Sequence, residues 1–423
     1  MDVVVSCLKK GLRGEIVIPA DKSISHRAVM FSSLAKGKST IKNFLYAADC
    51  RSTAGLFKNL GVDIEFINEN TLTVNSKGIL SPYLPPLDCG NSGTTMRLVS
   101  GILAGQRFDS TLIGDESLSK RPMKRVITPL SLMGAEIESN DGRAPLKIHG
   151  TALHSIEYNS PIASAQVKSS ILLAGLSADG ITTVIEPYKS RNHTEILLEY
   201  MGADIAVEEN RVSIQKSSLT ARDIFVAGDI SSAAFFIVAA LIVPDSDIII
   251  RNVGLNETRT GIIDVVKRMG GNLEILDERI VSGEKIGNLR IRYSDLKSCE
   301  INGADIPRLI DELPVIALLA TQAEGETRIT NAEDLRNKEA DRITAVVTEF
   351  RKLGIDIDEL PDGFIINGKQ KIAGGSEVEV YHDHRLAMTL YIAGLIAKKE
   401  TLVKEFQWVD ISMPEFLSLI QRL

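Results

Sequence analysis

Lys22, Ser23 and Arg27 are three side chains whose types and spacing suit one task, the holding of a phosphate. Pro19 closes an extended run from Glu15 to Ile18, and Ile24, Ala28, Phe31 and Ala35 then recur at helical spacing, so a strand gives way to a helix here. Ser23 or Ser25 can cap that helix. Lys22 and Ser23 then lie where a helix offers free N–H groups, with Arg27 one turn beyond Ser23 on the same side. Two cations, a hydroxyl and the positive end of a helix dipole converge, which is how proteins bind phosphate. Alone, the stretch also reads as a capped surface helix with solvated charges; its recurrence favours the anion site.

Polar clusters of the same kind open five further apolar helices: Asn91-Ser92-Gly93-Thr94, Ser164-Ala165-Gln166, Asp229, Asp311-Glu312 and Asp383-His384-Arg385. Each helix turns into a β-branched strand, as at Ser110-Thr111-Leu112-Ile113 and Asp247-Ile248-Ile249-Ile250, which makes six copies of one α/β unit. In five copies a second helix ends in glycine before an alternating strand, at Gly61, Gly134, Gly202, Gly270 and Gly354. The last copy runs out at Leu423, and the N-terminal residues are expected to supply its missing strand. Six units divide into two α/β domains of three repeats each, residues 21–225 and residues 1–20 plus 226–423, with the crossover near 221–228. For Asp229 alone, plain capping is the better reading.

At 423 residues with 44% hydrophobic and 24% charged residues, two folded domains with ample core are expected. A formal net charge of −7 argues against nucleic acid or an anionic membrane as the main partner. Cys7, Cys50, Cys89 and Cys299 are scattered without metal-site spacing and read as reduced thiols of a cytoplasmic protein. No export signal is visible, and the longest apolar run, Ala233 to Val243, is too short to span a bilayer. His382 and His384 have nothing nearby to complete a metal ligand set; His26 and His193 read as structural.

Eight stretches spread from end to end resemble the 5-enolpyruvylshikimate-3-phosphate (EPSP) synthase family. They are Asp21-Lys22-Ser23-Ile24-Ser25-His26-Arg27, Gly90-Asn91-Ser92-Gly93-Thr94-Thr95-Met96-Arg97, Arg121-Pro122-Met123, Ser164-Ala165-Gln166-Val167-Lys168, Arg191-Asn192-His193-Thr194-Glu195, Leu309-Ile310-Asp311-Glu312-Leu313-Pro314, Arg336-Asn337-Lys338-Glu339-Ala340-Asp341-Arg342 and Asp383-His384-Arg385-Leu386-Ala387-Met388. The resemblance implies the enolpyruvyl transferase fold (an inside-out α/β barrel), an active site in a cleft between two closing domains, and no metal or organic cofactor. It further implies transfer of the enolpyruvyl group of phosphoenolpyruvate to the 5-hydroxyl of shikimate 3-phosphate with release of phosphate. Both substrates carry a carboxylate and a phosphate of about −1.5 to −2, so a net-negative protein must bind them with a local set of cations. Lys22, Arg27, Arg121, Lys168, Arg191, Lys338, Arg342 and Arg385 are available, and arginine suits the task because its fork grips such groups bidentately.

By the family's pattern, Lys22, Ser23, Arg27, Ser164, Ala165, Gln166, Arg191, Asp311 and Lys338 hold shikimate 3-phosphate, and Lys22, Gly93, Thr94, Arg121, Gln166, Arg342 and Arg385 hold phosphoenolpyruvate. Addition followed by elimination needs a base, an acid and charge stabilisation. The resemblance assigns Asp311 as the base for the 5-hydroxyl, Glu339 as proton donor to the methylene carbon, and Lys22 as stabiliser of charge near the bridging oxygen. Cations beside Glu339 should lower its pKa, against the needs of an acid. Ser164 to Lys168, Arg191 to Glu195 and Asn256-Glu257-Thr258-Arg259 tilt the match toward the class II subgroup, whereas Ala20, Asp334 and Ile411 depart from family positions.

Three rivals are weaker. The sister transferase acting on a UDP-amino sugar uses a Lys-Asn pair and a loop cysteine, but Ser23 follows Lys22 here and residues 114–123 hold no cysteine. An RNA 3′-phosphate cyclase should be basic, and a mere phosphosugar binder has no use for both Asp311 and Glu339. The expected partners are the two small anions, with no nucleic acid, no membrane and a monomeric chain.

Overall fold

The computed structural model describes residues 1–423 and divides into two compact units. The first comprises Ala20–Ala227 with Ile280–Glu284; the second comprises Met1–Pro19, Gly228–Arg279 and Lys285–Leu423. Residues 280–284 form the tip of the hairpin between strands Asn272–Val281 and Glu284–Arg292. They pack with the first unit, where Ser282 Oγ accepts from the Phe225 N–H (2.9 Å) and Glu284 meets His193 Nδ1 at 2.6 Å. Nothing in the repeat pattern signals that excursion.

Each unit is built from three sheets, one per repeat, around buried inner helices. In the first unit the inner helices are Lys22–Leu34, Gly93–Ala104 and Ala165–Gly175. A short strand such as Leu87–Asp88 precedes the inner helix and pairs in parallel with the strand after it, here Ser110–Ile113. An outer helix then leads into an antiparallel hairpin, here Glu136–Asn140 with Arg143–His149. The first repeat takes its parallel strands from the end of the same unit, Leu219–Thr220 and Ile224–Phe225, which pair with Ala35–Lys42. Inner helices can touch along their backbones because Gly101 lacks a side chain: a Cβ there would lie 2.0 Å from the Ser170 carbonyl oxygen.

In the second unit the inner helices are Ile230–Ile242, Leu313–Thr321 and His384–Leu395. Every residue of Ile230–Ile242 is buried, as expected of a helix apolar all round. Arg13–Val17 is the parallel partner of Asp247–Gly254. In the last repeat Val3–Val5 pairs antiparallel with Thr401–Val403, Val3 opposite Val403, taking the place of the missing hairpin. Outer helices end on left-handed glycines such as Gly202 (φ 90°) and Gly270 (φ 77°), where nothing crowds a Cβ and the backbone angle alone calls for glycine. No helix is long and apolar enough to cross a membrane.

Candidate active site

In the first unit, each inner helix begins with a side-chain cap and a short run of N–H donors. Asp21, rather than Ser23 or Ser25, caps Lys22–Leu34 by accepting from the Ile24 N–H at 2.9 Å. Ser25 is already inside the helix, where its hydroxyl accepts from the Leu45 N–H. Lys22 and Ser23 therefore occupy the first two helical positions. Ser92 caps the helix beginning at Gly93, and Ser164 caps the one beginning at Ala165. A buried chain of hydrogen bonds joins two of these ends: His26 Nδ1 to Thr53 Oγ1, Thr53 to Thr95, and Thr95 Oγ1 to Ser92 Oγ, each 2.7 Å. Burial pushes His26 down to about 3, so the link is a neutral one.

The cations of this unit divide into two groups. Lys22 Nζ lies 3.2 Å from Asp49 Oδ2. Burial works to raise the Asp49 carboxyl, but Lys22 foremost among its neighbours brings it below its ordinary value. Arg121 Nη2 donates to Asn91 Oδ1 at 2.9 Å, and Asn91 Nδ2 in turn donates to Asp115. Arg97 Nη1 donates to Gln166 Oε1 at 2.7 Å, while Gln166 Nε2 donates to Thr94 Oγ1 at 3.1 Å. The Gln166 carbonyl is thus committed to Arg97, and its NH2 donates toward Thr94. Burial, and then Arg125 and Arg121, lower the Arg97 guanidinium to about 10. Gly93, Thr94, Arg121 and Gln166 are therefore one cluster, with Arg97 beneath it.

Two of the expected cations have partners within the protein. Arg27 is buried, donating through Nε to Thr194 Oγ1 (2.7 Å), through Nη2 to Ser169 Oγ (2.9 Å) and through Nη1 to the Ser23 carbonyl (3.0 Å). Lys168 is 2% exposed and bridges Glu186 and Glu195 at 2.7 Å each. Lys168 is therefore no anion-binding cation: two internal carboxylates outcompete solvent or substrate for an ammonium that is fully desolvated.

A Cβ added at Gly93 would lie 3.0 Å from Arg97 Nη1 and 3.6 Å from Arg121 Nη1. The clash is with the end of a flexible side chain, so Gly93→Ala folds with a Tm within about 3 °C of the parent. It shifts Arg97 off Gln166, and binding of an anionic substrate at this cluster should weaken about tenfold. Steady-state kinetics with each substrate varied in turn check this; an unchanged KM would separate Gly93 from the anion site.

In the second unit, Asp383 caps His384–Leu395 and Asp341 caps Arg342–Lys352. Arg342 is 1% exposed and sits among three carboxylates: Asp383 (Nε to Oδ2, 2.6 Å), Glu339 (Nη2 to Oε2, 2.6 Å) and Asp311 (Nη1 to Oδ1, 3.5 Å). Lys338 Nζ also lies 3.5 Å from Asp311 Oδ1, and Arg385 Nη1 donates to the Asp311 carbonyl at 3.3 Å. Three carboxylates and three cations thus gather at one place. Burial works to raise Glu339, but Arg342 together with His384 and a backbone hydrogen bond brings the carboxyl below its ordinary value. Glu312, buried beside Asp311, accepts from Ser231 Oγ and is raised by burial. His384 is pushed down to about 3, chiefly by burial and then by Arg385.

Sequence reasoning missed Asp49, Glu186, Arg97 and Asp383 as members of these networks. Arg97 carried a signal, being four residues after Gly93 on one helix face. Asp49 and Glu186 lie in parts of the chain remote from the groups they hold and carried none.

The fold is that of an enolpyruvyl transferase. NikO of Streptomyces tendae, an enolpyruvyl transferase, matches 100% of this chain and 97% of its own with a TM-score of 0.80, at 18% identity. EPSP synthase of Acinetobacter baumannii matches with a TM-score of 0.93 and 42% identity, covering 100% of this chain and 98% of its own. The 3-phosphoshikimate 1-carboxyvinyltransferase of Thermoanaerobacter sp. (strain X514) is 51% identical over the whole of both chains. That of Thermodesulfovibrio yellowstonii is 53% identical over 98% of each. The profile of EPSP synthase (3-phosphoshikimate 1-carboxyvinyltransferase) matches residues 8–420, and the chain belongs to that family.

Proposed function

We propose that the two clusters act on one pair of substrates, with the first unit supplying mainly anion recognition and the second supplying proton transfer. The protein is a transferase of the shikimate pathway: it moves the enolpyruvyl group of phosphoenolpyruvate to the 5-hydroxyl of shikimate 3-phosphate, on the route to chorismate and the aromatic amino acids. The observation that carries the division of labour is Asp311, flanked by Lys338 and Arg342 at 3.5 Å. A carboxylate so placed can take a hydroxyl proton while the adjacent cations hold the substrates' own anions.

In this reading Lys22, Ser23, Arg27, Ser164, Ala165, Gln166, Arg191, Asp311 and Lys338 hold shikimate 3-phosphate. Lys22, Gly93, Thr94, Arg121, Gln166, Arg342 and Arg385 hold phosphoenolpyruvate. Arg27 contributes through Ser23, whose carbonyl it fixes. Gln166, its carbonyl held by Arg97, offers only N–H groups to an anion. Glu339 donates a proton to the methylene carbon. Arg342 favours the ionised form of Glu339; a bound carboxylate or phosphate on Arg342 and Arg385 weakens that hold, and exclusion of water raises the carboxyl further. Lys22 stabilises charge at the bridging oxygen. The two buried cysteines, Cys50 and Cys89, both raised by burial, fit a reducing compartment such as the cytoplasm.

The test is phosphate release with the two substrates added singly and together, with a glyphosate arm to place the subgroup. Release only with both supports the reading. Release with phosphoenolpyruvate and UDP-N-acetylglucosamine, but not with shikimate 3-phosphate, would overturn it.

A further inference from the structure

Four side chains of the first unit, acidic and basic by turns, form a buried ladder: Glu186, Lys168, Glu195 and Arg27. Glu186 Oε1 accepts from the Ser164 N–H at 3.0 Å, at the cap of the Ala165–Gly175 helix. Its other oxygen accepts from the Ser190 N–H (3.3 Å) and hydroxyl (2.9 Å), one residue before Arg191. Lys168 Nζ lies 2.7 Å from both Glu186 Oε2 and Glu195 Oε1, and also donates to the Ser190 carbonyl at 3.4 Å. The next residue along from each inner rung then grips Arg27: Ser169 follows Lys168 and Thr194 precedes Glu195, and their hydroxyls meet at 2.6 Å while accepting from the guanidinium. Burial lowers Arg27 to about 10, and Glu195 is foremost among the charges that hold it up. At the far end Arg27 Nη1 holds the Ser23 carbonyl.

We propose that Lys168, with Glu186 and Glu195, is the positioning device for shikimate 3-phosphate. Lys168, Glu186 and Glu195 set Ser164, the Ser190–Arg191 loop and the Ser23–Arg27 turn in register while touching no substrate themselves. Its two ends fall on groups placed around that substrate, and neither end falls on Gly93, Arg121 or Thr94 of the phosphoenolpyruvate set. Buried ion pairs are a costly way to gain stability, since apolar residues of similar volume do as well or better. A rigid support for a polyanion site is a use that apolar residues do not supply. The inference rests on the substrate assignment above.

The test compares the parent enzyme, Lys168→Met, and the charge-free triple variant Lys168→Met, Glu186→Gln, Glu195→Gln. Lys168→Met leaves two buried carboxylates unpaired and is expected to lower Tm; the triple variant relieves that and is the decisive protein. In the triple variant the KM for shikimate 3-phosphate should rise about ten- to a hundredfold, with the KM for phosphoenolpyruvate and kcat within about threefold of the parent. Calorimetric binding of shikimate 3-phosphate alone should weaken by the same factor. An unchanged KM, an even loss across kcat and both KM values, or a triple variant that does not fold would each assign the ladder to stability and overturn the proposal. If the parent itself fails to turn over shikimate 3-phosphate, it is the substrate assignment that falls.

Discussion

Asp311→Asn should lower kcat by about a thousandfold while leaving the KM for both substrates within about threefold. Asparagine keeps the size of the side chain and one oxygen facing Lys338 and Arg342, each 3.5 Å from the carboxylate in the parent. It cannot accept the 5-hydroxyl proton. General base catalysis by a positioned group is worth about a hundred- to ten-thousandfold, so the loss should fall in kcat and not in binding. Equal losses in kcat and in affinity for shikimate 3-phosphate would make Asp311 a binding residue and remove it as the base. Single-turnover measurement of phosphate release separates the two, because it reports chemistry apart from product departure.

Arg342→Met should be the most damaging single change to stability, and it should lower turnover as well. Arg342 is 1% exposed and holds the wholly buried Asp383 at 2.6 Å, as well as Glu339 at 2.6 Å. Methionine fills much of the volume but leaves Asp383 as a buried carboxylate without its cation, which costs about 3–5 kcal/mol. The loss includes a lever on phosphoenolpyruvate, so phosphate release should fall at least about a hundredfold.

The pH dependence of that stability loss has a definite sign. Burial works to raise Asp383, yet Arg342 brings it below its ordinary value in the folded protein. A depressed carboxyl contributes stability above its unfolded pKa and loses it as pH falls through the folded value. Without Arg342, burial dominates and the folded protein prefers Asp383 protonated. The difference in Tm between parent and variant should therefore be largest near about pH 7 and shrink as pH falls below about 4. Thermal unfolding at a series of pH values checks this. A constant difference would mean that Arg342 stabilises by packing and not by charge.

Much about this protein is readable along the chain. Six polar clusters, each opening an apolar helix that turns into a β-branched strand, are a local pattern that backbone periodicity and capping express without help from distant residues. The α/β class and the repeat follow from it, and the family follows from the resemblance of the eight motif stretches. Capping went to Asp21 and not to Ser23 or Ser25 because the carboxylate two residues earlier already reaches the Ile24 N–H. That is a choice among near neighbours, settled by backbone geometry.

What only the tertiary structure decided is where each charge is spent. Lys168 and Lys22 both count among the cations the sequence makes available. Packing places Lys168 between Glu186 and Glu195, and Lys22 beside Asp49 at a part-exposed helix start. Arg97 holds Gln166 across 69 residues, because Gly101 lets two helices meet along their backbones. Pairings of this kind depend on which helices touch and how far each side chain is removed from water. Sequence spacing carries neither quantity: a charge's role follows from the partners that burial leaves within its reach.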